Sequence, residues 1–154
     1  MKKVGAAIGL AVSLIIVLTS AAYAADMRGT GELHAWGDGM AAVRGDIETT
    51  ITGNGILMIR DHGGDGEWTV SGTGRRRDLP GGWTIYLGFG GTVEARGSRI
   101  SVLISGYDID LRAEGTGAAI LYGEGRYETR HGDGEWSREK PWPRDMSALR
   151  LKPS

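Results

Sequence analysis

The chain has 154 residues, with 18 basic and 19 acidic side chains, 27 glycines, 4 prolines and no cysteine. Without cysteine there are no disulfides, thiol nucleophiles or cysteine-ligated metals, so stability has to come from burial and backbone pairing. The net charge of −1 argues against a general nucleic-acid binder, which shows a basic face. The scarcity of proline and the absence of a glycine triplet repeat exclude collagen.

Residues 1–24 have the features of a secretory signal peptide. Lys2 and Lys3 form a positive start, residues 4–18 are an apolar run, and Ala22-Tyr23-Ala24 is a small-x-small cleavage site. The apolar run is shorter than the roughly 20 residues that span a bilayer. We therefore expect a mature chain that begins at Ala25, has no membrane span, and is secreted, periplasmic or at the cell surface. An uncleaved membrane anchor is the alternative.

Residues 25–136 are predicted to be a single glycine-rich all-β domain. From Gly29 to Ile59 the odd positions are small or apolar and most even positions are polar, which is the period-two pattern of half-buried strands. A three-residue loop keeps this parity, so we expect hairpins at Gly37-Asp38-Gly39 and Gly53-Asn54-Gly55. These features predict an antiparallel meander that closes into a sandwich or small barrel. A β-solenoid is the alternative, because glycines recur every eight residues at 29, 37, 45 and 53.

A second block, residues 109–127, repeats the odd-position pattern. Ile100, Val102 and Ile104 between the blocks have the opposite parity, so a connection of different length is expected near Gly97-Ser98. Residues 137–154 lack the alternation and are rich in proline and basic residues. They are predicted to be a C-terminal tail.

The most specific local repeat is His-Gly-Asp-Gly-Glu-Trp, which occurs at 131–136 and, with one extra glycine, at 62–68. Imidazole and carboxylate groups ligate divalent metals, so the candidate metal ligands are His62, Asp65, His131 and Asp133. Glu67 and Glu135, or Asp108 and Asp110, would be a carboxylate pair for glycoside hydrolysis. The favoured interpretation is a duplicated hairpin in which Asp-Gly supplies the turn.

The segment 79–91 is the richest in aromatic residues, and Trp83, Tyr86 and Phe89 are its candidate ligand-binding residues. They would line a groove, or pack in the core, which is the commoner place for aromatic side chains. Outward apolar residues at even positions would form an interaction patch if they clustered: Trp36, Met40, Ile56 and Met58. Arg75-Arg76-Arg77 is interpreted as solvated, with anion binding as the alternative.

The segment "GTGELHAWGDGMAAVRG" and the later "GGWTIYLGFGG" resemble a group of secreted Gly-x-Gly-rich all-β proteins of bacteria and archaea. The resemblance covers about residues 29–127 and implies an exported all-β protein. No activity and no functional residues come with it.

These observations favour a non-enzymatic module that acts through its surface or its edge strands and needs no cofactor. Its expected partners are a cell-envelope component or a second copy of itself, and not nucleic acid. One alternative is a carbohydrate-active or metal-dependent enzyme that uses the duplicated turns. Another is a small-ligand-binding barrel with residues 83–89 at its mouth.

Overall fold

The computed structural model describes residues 25–138, so the predicted signal peptide and the tail beyond residue 138 lie outside the described residues. Four strands are formed: β1 (Ala25–Asp61), β2 (Glu67–Leu79), β3 (Trp83–Thr129) and β4 (Gly132–Glu135). They make one antiparallel sheet that is not closed, in the order β1-β3-β2, with β4 paired to β3. The predicted all-β antiparallel fold is confirmed. Within the described range no helix is long and apolar enough to cross a membrane.

β1 pairs with β3 along both of its edges, and this double pairing forces the strands into a coil. Ala35 and Ile51 both pair with Leu111, although they are 16 residues apart in β1. Two strands that flank a third are about 10 Å apart, whereas 16 extended residues span about 53 Å. β1 must therefore come back beside itself every 16 residues, and β3 winds along with it as its antiparallel partner.

The Gly-x-Gly segments are corners of this coil, and the predicted hairpins at 37–39 and 53–55 are wrong. β1 continues through both segments, and Trp36 and Met40 pair with residues of β3 and not with each other. A hairpin and a corner both need a backbone that glycine adopts most easily, so the local sequence is the same for the two. Like the predicted alternative, the solenoid, the chain forms a coil with corners eight residues apart. Here, however, the coil is built from two antiparallel strands.

Close approach of the neighbouring backbone makes glycine necessary at these corners. Gly37 and Gly45 have φ values of +156° and +148°, which L side chains rarely adopt. A Cβ on Gly37 would overlap the carbonyl oxygen of Glu124, and one on Gly45 would overlap that of Thr116. Glycine therefore serves both the bend and the contact between strands.

The corners divide the coil into two packed layers. Layer 1 contains residues 32–36 and 48–52 of β1 and the strand segments in register with them, and layer 2 contains residues 40–44 and 56–60 with theirs. The predicted parity is confirmed, because no even position from 32 to 60 is buried. Side chains at odd positions fill the space between the layers and are at most 4% exposed: Ala35, Ala41, Val43, Ile51, Leu57 and Ile59.

Two β-bulges account for the changes of parity between Ala95 and Leu111 in β3. Arg99 and Asp108 have φ values of 51° and 53° and are the extra residues of these bulges. Their backbone N–H groups donate to the carboxylates of Asp46 and Asp38, at 2.9 and 2.7 Å respectively. The connection expected near Gly97-Ser98 is therefore a bulge and not a loop. The even positions between the bulges are buried, as predicted: Ile100, Val102 and Ile104.

Candidate functional site

The first copy of the repeated motif forms the turn between β1 and β2. The carboxylate of Asp61 accepts hydrogen bonds from the N–H groups of Gly63, Gly64 and Gly66 at 2.8–2.9 Å. These hydrogen bonds lower the pKa of Asp61 below its ordinary value, and the bond from Gly66 has the largest effect. The Asp65 carboxylate accepts from the N–H and the hydroxyl of Ser98, at 2.9 and 2.8 Å. Both aspartates hold this turn together and tie it to β3.

The second copy forms the hairpin between β3 and β4. His131 is exposed, and Asp133 lies 3.7 Å from the guanidinium of Arg126. Trp136 is 4% exposed, and its indole N–H donates to the carbonyl of Arg126 at 2.9 Å. Within residues 25–138, no three His, Asp or Glu side chains are grouped so that they could hold a metal ion. The structure therefore does not bring His62, Asp65, His131 and Asp133 together as a metal site.

The three aromatic candidates point in different directions. Tyr86 and Phe89 are 8% and 2% exposed and belong to the core between the layers. Trp83 is half-buried on the outer side of layer 2, where the guanidinium carbon of Arg60 lies 5.8 Å from its ring centroid. Only Trp83 of the three is placed to meet a partner from outside.

A cavity of about 520 Å³ opens between the layers at one end of the coil. Leu33, Val43 and Tyr127 give it an apolar lining, and the exposed His131 and Asp133 are also part of its wall. None of the candidates Trp83, Tyr86 and Phe89 lines it. This cavity, and not the aromatic segment, offers a small ligand a partly apolar space.

The outer face of layer 1 is charged, and its arginines are paired with carboxylates. Arg96 contacts Glu67 at 2.6 Å, and Arg130 contacts Glu32 at 2.7 Å. His34 lies 3.2 Å from Asp110. Such exposed ion pairs stabilise little, but they leave the arginines of this face matched by neighbouring carboxylates.

The outer face of layer 2, called here the layer-2 face, is apolar in its middle. The apolar side chains of this face point away from the core because side chains alternate along each strand. The register between strands aligns them in rows across the sheet. They are half-buried except for Ile56, which is 41% exposed. One row is Ile120, Ala42, Leu103, Met58 and Ile85, and the next contains Tyr122, Met40, Ile56 and Leu87.

Arginines border these apolar rows. Arg28, Arg44 and Arg60 share one row with Ala118 and Ser101, and Arg75 and Arg77 flank the apolar rows on the edge strand β2. Within residues 25–138, Arg44, Arg60, Arg75 and Arg77 form no ion pair with a carboxylate. The layer-2 face therefore combines apolar surface with unneutralised positive charge.

Positive potential is concentrated around Ser101, which lies between Arg44 and Arg60 in the row. The imidazole Nε2 of His62 is 3.0 Å from the Ser101 hydroxyl, and the Arg99 guanidinium donates to the His62 carbonyl at 3.0 Å. Burial, then repulsion by Arg44, Arg60 and Arg99, lowers the pKa of His62, and Asp61 only partly opposes this. Arg44 Nε is buried without an acceptor. Three arginines are thus grouped around a buried hydroxyl, with no carboxylate among the described residues paired to Arg44 or Arg60.

No family model, curated protein or solved structure matches this chain. The candidate site therefore depends on the geometry of this molecule alone. Sequence reasoning anticipated the outward Met40, Ile56 and Met58 but missed the arginine row. The signal was present, because Arg28, Arg44 and Arg60 are spaced 16 residues apart, which is the length of one coil.

Proposed function

We propose that the protein is a non-enzymatic module of the cell envelope or the extracellular space that binds its partner through the layer-2 face. The signal-peptide pattern of residues 1–24 supports the location. The hydrogen bonds of Asp61 and Asp65 support a structural role for the first repeated turn, which the enzymatic alternative would use for chemistry.

The difference between the two outer faces carries the proposal. A sheet face that only meets water is expected to look like the outer face of layer 1, where charged side chains pair with one another. The layer-2 face has one row of apolar side chains across five neighbouring strand segments, and a second, adjacent row that is apolar except for Ser105 in its middle. Contiguous exposed apolar surface rimmed by charge marks an interaction site, because monomers rarely keep it otherwise.

The test is a fractionation of cells that export the chain, with the amounts in the envelope and in the free fraction measured for matched variants. Ile56→Glu with Met58→Glu places two charges on the layer-2 face, and we expect the protein to move to the free fraction. The control is Thr50→Glu with Thr52→Glu, which makes the same charge change on the same strand but on the outer face of layer 1. This variant is expected to stay with the envelope.

Circular dichroism of both variants confirms that they are folded before the fractions are compared. Equal release of the two variants, or release of the control alone, would show that the layer-2 face is not the binding surface.

A further inference from the structure

We propose that the layer-2 face binds the surface of a lipid membrane that contains anionic phospholipid. The arginine row contacts lipid phosphates, and the apolar rows enter the boundary between headgroups and acyl chains. This inference rests on the proposed function and names the partner of the same face.

The first argument is the combination of apolar and basic side chains on one face of the sheet. A free polyanion would be held by the arginines but would gain nothing from the apolar rows beside them. An uncharged hydrophobic partner would leave four arginines desolvated without counter-charge, which is costly. Lipid surfaces offer anionic phosphates next to apolar chains, and proteins that lie on them use apolar area and basic side chains together.

The second argument is the geometry of the rows. Along each strand the outward positions step from the arginine row to the apolar rows in units of two residues, about 7 Å. Arg60, Met58 and Ile56 follow one another in this way on β1. Trp83 lies beside Arg60 at the basic border, and tryptophan is enriched where a protein meets the headgroup region. The charged, aromatic and apolar groups are thus ordered as a membrane interface requires.

The third argument concerns the other occupants of the face. The C-terminal end of the described chain lies beside the layer-2 face, because Ser137 pairs with Tyr122 at the end of one apolar row. The segment 139–154 that follows contains four basic and two acidic residues, so it carries the same sign of charge as the arginine row. A second copy could match the arginines with the acidic side chains of its layer 1, but that face offers no apolar rows to cover.

The experiment is flotation of the full chain with vesicles of phosphatidylcholine alone and of phosphatidylcholine mixed with phosphatidylglycerol. We expect binding to the anionic vesicles that weakens as salt is raised, and much weaker binding to the neutral ones. Each basic side chain near an anionic surface contributes about 1 kcal/mol, which is about fivefold in affinity. Arg44→Gln with Arg60→Gln should therefore weaken binding about 25-fold.

The control, Arg112→Gln with Arg126→Gln, removes the same charge from the outer face of layer 1 and should change binding less than twofold. Because Arg44 is partly buried, Arg75→Gln with Arg77→Gln serves as a second test variant at exposed positions. It should weaken binding in the same direction as the first variant.

Several results would overturn the inference. These are equal affinity for neutral and anionic vesicles, equal loss in test and control variants, and displacement by millimolar inorganic phosphate, which would indicate a free-anion site. A concentration-dependent dimer that Ile56→Glu with Met58→Glu abolishes would assign the face to a second copy. If those substitutions release the protein from the envelope but vesicles do not bind, the proposed function stands and only the lipid inference fails.

Discussion

Gly45 and Gly29 offer a direct test of why glycine occupies the corners of the coil. Both lie at the same edge, one coil apart, with φ values of +148° and +142°. A Cβ on Gly45 would overlap the Thr116 carbonyl, whereas nothing lies within 4 Å of a Cβ on Gly29. Alanine at either position therefore suffers the same backbone strain, and only alanine at Gly45 also collides with the neighbouring strand.

Backbone strain of this kind costs about 1–3 kcal/mol, and overpacking against a rigid neighbour adds a further 1–3 kcal/mol. We expect Gly45→Ala to lower the free energy of unfolding by about 4 kcal/mol and Gly29→Ala by about 1–2 kcal/mol. For a domain of this size each kcal/mol lowers Tm by about 4 °C, so the two variants should differ by about 10 °C.

The assay is urea unfolding at 25 °C followed by circular dichroism, together with thermal melts of both variants and the parent protein. The m-value should remain constant if the variants unfold as the parent does. If Gly45→Ala is no less stable than Gly29→Ala, close approach between the strands is not the reason for glycine at these corners.

Two further predictions concern the core and the His62 region. Val43→Asp should lower the free energy of unfolding by about 4 kcal/mol, because it puts an unpaired charge between the layers. Thr50→Asp on the outer face of layer 1 should lower it by less than about 1 kcal/mol. Equal urea midpoints for the two variants would contradict the assigned parity. The pKa of His62 is lower in the folded than in the unfolded chain, so the unfolded chain binds more protons as the pH falls below about 6.5 and stability declines there. His62→Asn should therefore show a smaller drop in Tm between pH 7.5 and pH 5.5 than the parent, and an identical drop would refute the assignment.

The sequence predicted which side chains face the core but not how the strands are connected. Period-two alternation depends only on which side of a strand is buried, so Val43 and Ile51 were assigned correctly. The odd positions on both sides of Asp38 carry small or apolar residues. This arrangement fits a hairpin as well as a corner, because a corner between two layers also has small residues on either side of the bend. Pairing of β1 with β3 was not predictable, since it joins residues far apart in the chain and leaves no local pattern.

Only part of the candidate site was predicted from the sequence, because the rest also depends on pairing between distant strands. Outward apolar residues of one strand are visible in the sequence, as with Ile56 and Met58. Their alignment with Leu103 and Ile120 depends on the register between distant strands and follows only from the fold. The duplicated histidine motif attracted attention because of its chemistry, yet the structure separates its two copies into different turns.

The double pairing of β1 with β3 has a consequence for how the chain folds. Ala41 pairs with Ile104 and Leu121, which follow it by 63 and 80 residues, so the first third of the domain has no local partner. Closing such long loops costs entropy before any contact compensates, and proteins dominated by distant pairings fold slowly. The β2–β3 hairpin, closed by residues 80–82, is the longest pairing between strands that are neighbours in sequence and offers the natural starting point. β1 can complete its pairing only after residue 129 is available, because Leu33 pairs with Thr129. The protein therefore completes its coil as a late step with nearly the whole domain in place.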